Sequence, residues 1–251
     1  MPPSGLNGSQ NKHIKVGILE VQGAFQEHKV ALMRANQCLQ TTIKLEVMEV
    51  RHPDHLSPDM DGLIIPGGES TTISLFLKRN NMEEPLRNWI QTKGHVVWGT
   101  CAGMILLSKC TENQKDGGQP TKNSPMPIEL FSFQLGMLDT VVSRNFFGRQ
   151  VQSFEAQVTI KAPLLIPSNT QTGTSDSKCH GVFIRAPAVL KTTSSEIQVL
   201  AVLERPEQKD SVIVAVQQGD VIATAFHPEL TDDLRWHSYF LKMIEKAKEQ
   251  A

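Results

Sequence analysis

Gly99-Thr100-Cys101-Ala102-Gly103 is the stretch on which the fold turns. The apolar run His95-Val96-Val97-Trp98 precedes it, and Met104-Ile105-Leu106-Leu107-Ser108 follows. The first run is short, β-branched and aromatic, which predicts a buried strand. The second predicts the opening of a helix packed on that strand. A cysteine at a tight strand-to-helix turn, with glycine two positions to either side, has the form of a nucleophile elbow carrying a thiol. Glycine lets the backbone turn sharply and lets neighbouring elements approach closely. A helix N-terminus beside the sulfur favours negative charge there. The alternative is a buried structural cysteine in a glycine-rich turn, and other stretches of the chain decide between the two.

Composition sets the outer bounds. At 251 residues the chain can bury a substantial core. Its 39% hydrophobic and 20% charged content is ordinary for a soluble globular protein. A formal net charge of −1 supplies no field toward nucleic acid or anionic membranes. No apolar run reaches the ~20 residues of a transmembrane helix. Residues 1–12 are polar and turn-rich without a signal-peptide core, and read as a disordered tail. Cys38, Cys101, Cys110 and Cys179 form no CxxC pair. Reduced thiols are then expected, and with them a cytoplasmic location.

Outward from the elbow, strands and helices alternate. Lys15–Leu19 reads as a first buried strand, followed by the turn Glu20-Val21-Gln22-Gly23-Ala24-Phe25 and a helix from Gln26 to about Cys38. Ile43–Val50 reads as a strand, as does Asp61–Ile65, which ends in Pro66-Gly67-Gly68-Glu69-Ser70-Thr71-Thr72. Adjacent glycines there expose backbone N–H groups that suit an anion. The missing Lys-Ser/Thr ending rules out a phosphate loop. Ser70 or Thr71 is expected to cap a helix reaching about Asn80, and a further helix spans Glu83–Lys93. Such alternation argues an α/β sheet with parallel strands and ligands at their carboxyl ends, where both the Gly-Gly turn and Cys101 fall.

Beyond the elbow, Thr111–Leu130 reads as a loop or insertion, and Pro163–Lys178 as a second irregular stretch. Strands are predicted over Leu135–Ser143, Phe154–Ile160, Gly181–Arg185, Val199–Leu203, Val212–Gln217 and Val221–Phe226, the last two joined by the turn Gln218-Gly219-Asp220. Asp232–Ala247 closes the chain as an amphipathic helix.

His227-Pro228-Glu229-Leu230 ends the last strand. Residues two apart in extended chain share a face, so an imidazole and a carboxylate stand together on a segment that Pro228 stiffens. That is the base-plus-orienter arrangement of a triad. Taken alone, such a pair is more often a surface ion pair. Metal ligation is set aside because no recognised ligand spacing is present. The other histidines, His28 and His237 among them, are read as solvated or structural, and Cys38, Cys110 and Cys179 as core or loop thiols. Arg144 and Arg185, each at a strand edge, can clamp a carboxylate.

Four features together, Pro66-Gly-Gly-Glu-Ser70, Gly99-Thr-Cys-Ala-Gly103, Arg144-Asn145 and His227-Pro-Glu229, resemble the class I, triad-type glutamine amidotransferases. Within that family the chain is most similar to the glutaminase subunits of pyridoxal 5′-phosphate synthase. Leu19-Glu-Val-Gln-Gly23, Arg144-Asn-Phe-Phe-Gly-Arg-Gln150, Ser153-Phe-Glu155 and Phe183-Ile-Arg-Ala-Pro187 carry the narrower likeness. It covers roughly Lys15 to Lys248. Departures are the polar tail, the two irregular stretches, and Val21 where leucine is usual.

The resemblance implies a three-layer α/β fold with a mixed, mostly parallel sheet between helices, forming one glutaminase domain over residues 13–251. It implies hydrolysis of L-glutamine to glutamate and ammonia by Cys101, His227 and Glu229, with no metal or organic cofactor. Gly68 and Ala102 would supply oxyanion N–H groups. Gly68, Glu69, Ser70, Arg144, Ile184 and Arg185 would line the glutamine site, and which arginine holds the substrate carboxylate stays open. Ammonia would pass to a separate pyridoxal 5′-phosphate synthase subunit, with Gln22 as the candidate contact; neither nucleic acid nor membrane is implied. Two rivals remain: a glutaminase subunit serving another synthase, and a redox-sensing or chaperone-like protein on the same fold.

Overall fold

The computed structural model describes residues 13–39, 43–112, 134–148, 153–166 and 177–250. The tail 1–12, most of the stretch 111–130, and residues 149, 150 and 167–176 lie outside the described residues.

The strands are β1 (His13–Leu19), β2 (Lys44–Val50), β3 (Gly62–Ile65), β4 (Val96–Thr100), β5 (Ser108–Glu112), β6 (Leu138–Ser143), β7 (Ser153–Ile160), β8 (Lys178–Ile184), β9 (Ala188–Thr192), β10 (Gln198–Arg205), β11 (Asp210–Gln218) and β12 (Val221–Thr224). The helices are α1 (Phe25–Cys38), α2 (Ser70–Arg79), α3 (Glu83–Gln91), α4 (Ala102–Leu107) and α5 (Arg235–Glu249). The strands form a mixed sheet whose main path runs β2-β1-β3-β4-β12-β11-β10-β7-β8. From β2 to β12 every pairing is parallel. From β12 to β8 every pairing is antiparallel. Off this path, β5 pairs parallel with β6, and β9 bridges β6 and β11.

Burial follows from this division. β3, β4 and β12 are buried at every position, as strands with helices on both faces must be. β7 alternates exposed and half-buried residues over most of its length, as a sheet with one wet face does. α1 buries His28, Ala31, Leu32 and Ala35, one stripe at helical spacing, and packs on α5. α4 packs on β4 and against α2. Because β1 has β2 on one side and β3 on the other, the winding reverses there, which sets α1 on the opposite face from α2. The crevice at that reversal, outside the strands' carboxyl ends, is where an open α/β sheet binds its ligand.

Several boundaries differ from the sequence-based expectation. The helix after the elbow is short, and Ser108 turns straight into β5, so Thr111 and Glu112 belong to a strand rather than an insertion. β9, which the sequence reading did not mark, joins β6 to β11 of the antiparallel arm. Pro163–Leu165 forms a 3₁₀ turn, and Lys178 already starts β8. α3 stops at Gln91 and α5 begins at Arg235. Among the described residues no helix is long and apolar enough to cross a membrane.

Candidate active site

The elbow depends on two glycines packed against each other's elements. A Cβ on Gly99 would strike the Gly103 backbone, and one on Gly103 would strike the Ile65 carbonyl. Between them Cys101 is held at φ 48°, ψ −99°, a conformation that costs a non-glycine residue ~1–3 kcal/mol. Its N–H donates to the Thr224 carbonyl at 2.8 Å, extending the β4–β12 register beyond the last paired residues. The thiol is nearly covered and lies 3.7 Å from the Ile184 carbonyl.

His227 follows β12 on the neighbouring strand. Its Nδ1 lies 2.8 Å from Glu229 Oε1, and both side chains are buried. Burial alone would lower the imidazole, but its hydrogen bonds to Cys101 and Glu229, with their charges, raise it to about 10. For Glu229, burial alone would raise the carboxyl. The His28 and His227 imidazoles beside its two oxygens outweigh that and hold it below the ordinary carboxylate value. The His227 N–H donates to the Val182 carbonyl at 2.8 Å. Since β11, β10 and β7 separate β12 from β8 along the sheet, the antiparallel arm must curl back over the strand ends to make that bond.

The Gly-Gly turn closes the other side. A Cβ on Gly67 would collide with the His227 ring, so backbone lies directly against the imidazole. Gly68 is different: a Cβ there meets only ordinary contacts, and its constraint is a φ of +147°. Glu69, rather than Ser70 or Thr71, caps α2, accepting from the N–H groups of Thr71 at 3.1 Å and Thr72 at 2.7 Å. Partial burial works against the charge on Glu69, but those N–H groups prevail and its carboxyl stays below the usual range. Gly23, which sequence reasoning passed over, has φ +94° and no room for a Cβ against the Gly67 carbonyl. Beside it, Gln22 Oε1 accepts from the Glu69 N–H at 3.3 Å.

These groups line a cavity of about 660 Å³, with Gln22, Gly68, Glu69, Ser70, Arg144, Ile184 and Arg185 all on its wall. The Arg144 guanidinium donates to the Ser70 and Thr71 hydroxyls and stands 3.9 Å from Glu69. Arg185 holds a left-handed φ of 45° just past β8. The sequence-derived residues therefore converge, except that Glu229 and Ala102 sit behind the wall.

Of the other thiols, Cys179 is buried in β8, while Cys38 and Cys110 are exposed, Cys110 on a strand. His28 and His237 are wholly buried, and His28 meets the site from behind. A histidine at a buried position of the α1 stripe was the available signal.

A family model described as the SNO glutamine amidotransferase family matches residues 18–246. The probable pyridoxal 5′-phosphate synthase subunit PDX2 of Arabidopsis thaliana is 41% identical over 255 residues, covering 94% of this chain and 88% of that one. The pyridoxal 5′-phosphate synthase subunit PdxT of Carboxydothermus hydrogenoformans is 42% identical, covering 93% and 99%. A solved structure described as a glutamine amidotransferase shares 37% identity at a TM-score of 0.65, covering 92% of this chain and 98% of that one.

Proposed function

We infer the reaction from one premise: the chain belongs to the SNO glutamine amidotransferase family. It acts as the glutaminase subunit of a pyridoxal 5′-phosphate synthase, releasing ammonia from L-glutamine for a separate synthase subunit. The observation that carries this reading is the meeting of Cys101 and His227 on the wall of one cavity, with buried Glu229 hydrogen-bonded behind the imidazole. A redox-sensing thiol would have no use for such a pair.

Cys101 Sγ attacks the side-chain amide carbon, and negative charge builds on the amide oxygen. The N–H groups of Gly68 and Ala102 receive that charge; Ala102 begins α4, where N–H groups lack helical partners. His227 takes the thiol proton as Sγ attacks and, raised to about 10, holds it at neutral pH until it passes it to the departing nitrogen, so ammonia leaves and a glutamyl thioester remains. The imidazole then takes a proton from water, which attacks the thioester carbon. Glutamate leaves and the thiol is regenerated. Glu229 fixes the imidazole throughout. Glu69, Ser70, Arg144, Ile184 and Arg185 bind the amino-acid end of glutamine, and nothing in the cycle calls for a metal or organic cofactor.

The Gly67-Gly68 peptide must aim its N–H at the oxyanion, and Gln22 and Gly23 press on that turn. Docking of the synthase at Gln22 therefore switches hydrolysis on. Ammonia release from glutamine, measured with and without the cognate synthase, tests the reading. The rate is expected to rise sharply on mixing, and Gln22→Ala to lower the stimulated rate more than the basal one. No ammonia in either state would sink the glutaminase reading, and equal rates would sink the switch alone.

A further inference from the structure

We propose that His28 is a positioning residue for the His227–Glu229 pair: neutral, it donates its Nε2–H to the second carboxylate oxygen of Glu229, and His237 locks it in that tautomer. The proposal rests on the glutaminase reading above.

Glu229 Oε2 is buried without a well-aligned hydrogen bond, and the nitrogen beside it, at 3.3 Å, is His28 Nε2. That nitrogen also lies 3.2 Å from Thr100 Oγ1, on the strand that ends at Cys101. On the far side of the ring, His28 Nδ1 is 3.0 Å from His237 Nε2, and His237 Nδ1 has no partner among the described residues. These contacts admit only one economical arrangement of protons. A buried carboxylate oxygen accepts, and Thr100 Oγ1 can share the role, so His28 Nε2 carries hydrogen. His28 Nδ1 is then bare and must accept from His237 Nε2–H. The lone pair of His237 Nδ1 is left unpartnered, which is less costly than an orphaned buried N–H. The reverse tautomers would aim two lone pairs at each other across Glu229 and strand that N–H. Hydrogen bonds thus run from His237 to His28 and from His28 to Glu229, whose other oxygen accepts from His227 Nδ1–H, so that His227 Nε2 remains for the thiol.

The surroundings push both rings toward the neutral form. Burial lowers His28, and it lowers His237 well below the ordinary histidine value. Facing His28 are Glu229 and His227 from the segment after β12, Thr100 and the edge of Trp98 from β4, and His237 from α5; Glu27 acts along its own helix. A neutral donor suits Glu229 better than a cation would. It satisfies the second oxygen without withdrawing the carboxylate's charge from the His227 imidazolium.

Nitrogen-15 NMR of the whole wild-type chain reads the arrangement directly. His28 and His237 should both appear as neutral Nε2–H tautomers at pH 8. An Nδ1–H tautomer at His28 would overturn the proposal, whatever the state of glutaminase activity. Kinetics in the complex with the synthase test the consequence. His28→Leu should lower kcat about 10–100-fold, the scale seen when an outer-shell partner of a metal-ligating histidine is lost, with KM changed less than threefold. Its acidic limb should move to higher pH, because Glu229 loses a donor to its charged form. His28→Gln, which can still donate to the carboxylate, should restore most of both. A folded Leu variant with normal kcat and an unmoved acidic limb, or equal losses in the Leu and Gln variants, would overturn the role.

Discussion

The two arms of the sheet contribute to the cavity in opposite ways. The parallel arm, β2 to β12, delivers Gln22, Gly67, Gly68, Cys101 and His227 from four strand ends side by side, three of them the ends of strands buried at every position. The antiparallel arm reaches the same cavity by curling over it and brings Ile184 and Arg185 from the end of β8, a strand with exposed positions, while Arg144 comes from the end of β6, off the main path. Under the proposed reaction this gives a division of labour: Cys101, His227 and Glu229 do the chemistry from the parallel arm, whereas Ile184 and Arg185 on the other arm serve recognition, joined by Glu69 and Ser70 beside the Gly-Gly turn. Substitutions at the first three should then cost turnover, and on the antiparallel arm, binding.

The harshest way to break the comparison is Cys101→Ala. It should lower glutamine hydrolysis ~10⁴-fold or more and leave the fold intact, since Gly99 and Gly103 rather than sulfur shape the elbow. A glutamine-mimicking diazo-ketone should label Cys101 and spare the exposed Cys38 and Cys110, as peptide mass spectrometry would reveal. Residual activity near wild type would remove the parallel arm from the chemistry.

Gly67→Val comes next. Its side chain would enter the space of the His227 ring and turn the peptide aside, so loss of one oxyanion donor should cost ~10²–10³ in kcat. Steady-state kinetics with the synthase present decide it, and a change confined to KM would contradict the assignment.

On the other arm, Arg185→Ala should raise KM for glutamine about tenfold or more, as expected for a lost charge-assisted hydrogen bond, with kcat within threefold. A drop in kcat with KM unmoved would erase the contrast between the arms.

The smallest effect is on stability against pH. His227 stands at about 10 against an ordinary 6.5. A raised basic group contributes stability fully below its unfolded value and loses it as pH climbs toward its folded one. Thermal midpoints should thus fall from about pH 6.5 to about pH 10. The fall should be shallower in Cys101→Ala, which removes one of the two groups raising the imidazole. Parallel profiles would deny the Cys101–His227 coupling.

The parallel arm was also the more legible one in the sequence. Unbroken apolar runs, glycines at strand ends and His227-Pro-Glu229 each obey local rules, so strands, elbow and pair could be read without knowing their neighbours. β5 and β9 escaped because Ser108–Glu112 and Ala188–Thr192 have weak local patterns and owe their conformation to pairing with β6 and β11. The α2 cap was misassigned because Ser70 and Thr71 are good caps by propensity, whereas the longer Glu69 reaches both free N–H groups. His28 was set aside for a related reason: what it touches is decided by α5 and the segment after β12, far along the chain.

The register of β4 against β12 also bears on how the protein is made. Trp98 and Thr224 touch across that pairing although 126 positions separate them in the chain. Contacts so distant form late, and synthesis delivers the amino-terminal half first. During translation the nucleophile strand emerges long before the strand that carries its base. A ribosome-bound chain therefore holds an unarmed thiol, and the ability to consume glutamine arrives all at once, when β12 slots between β4 and β11.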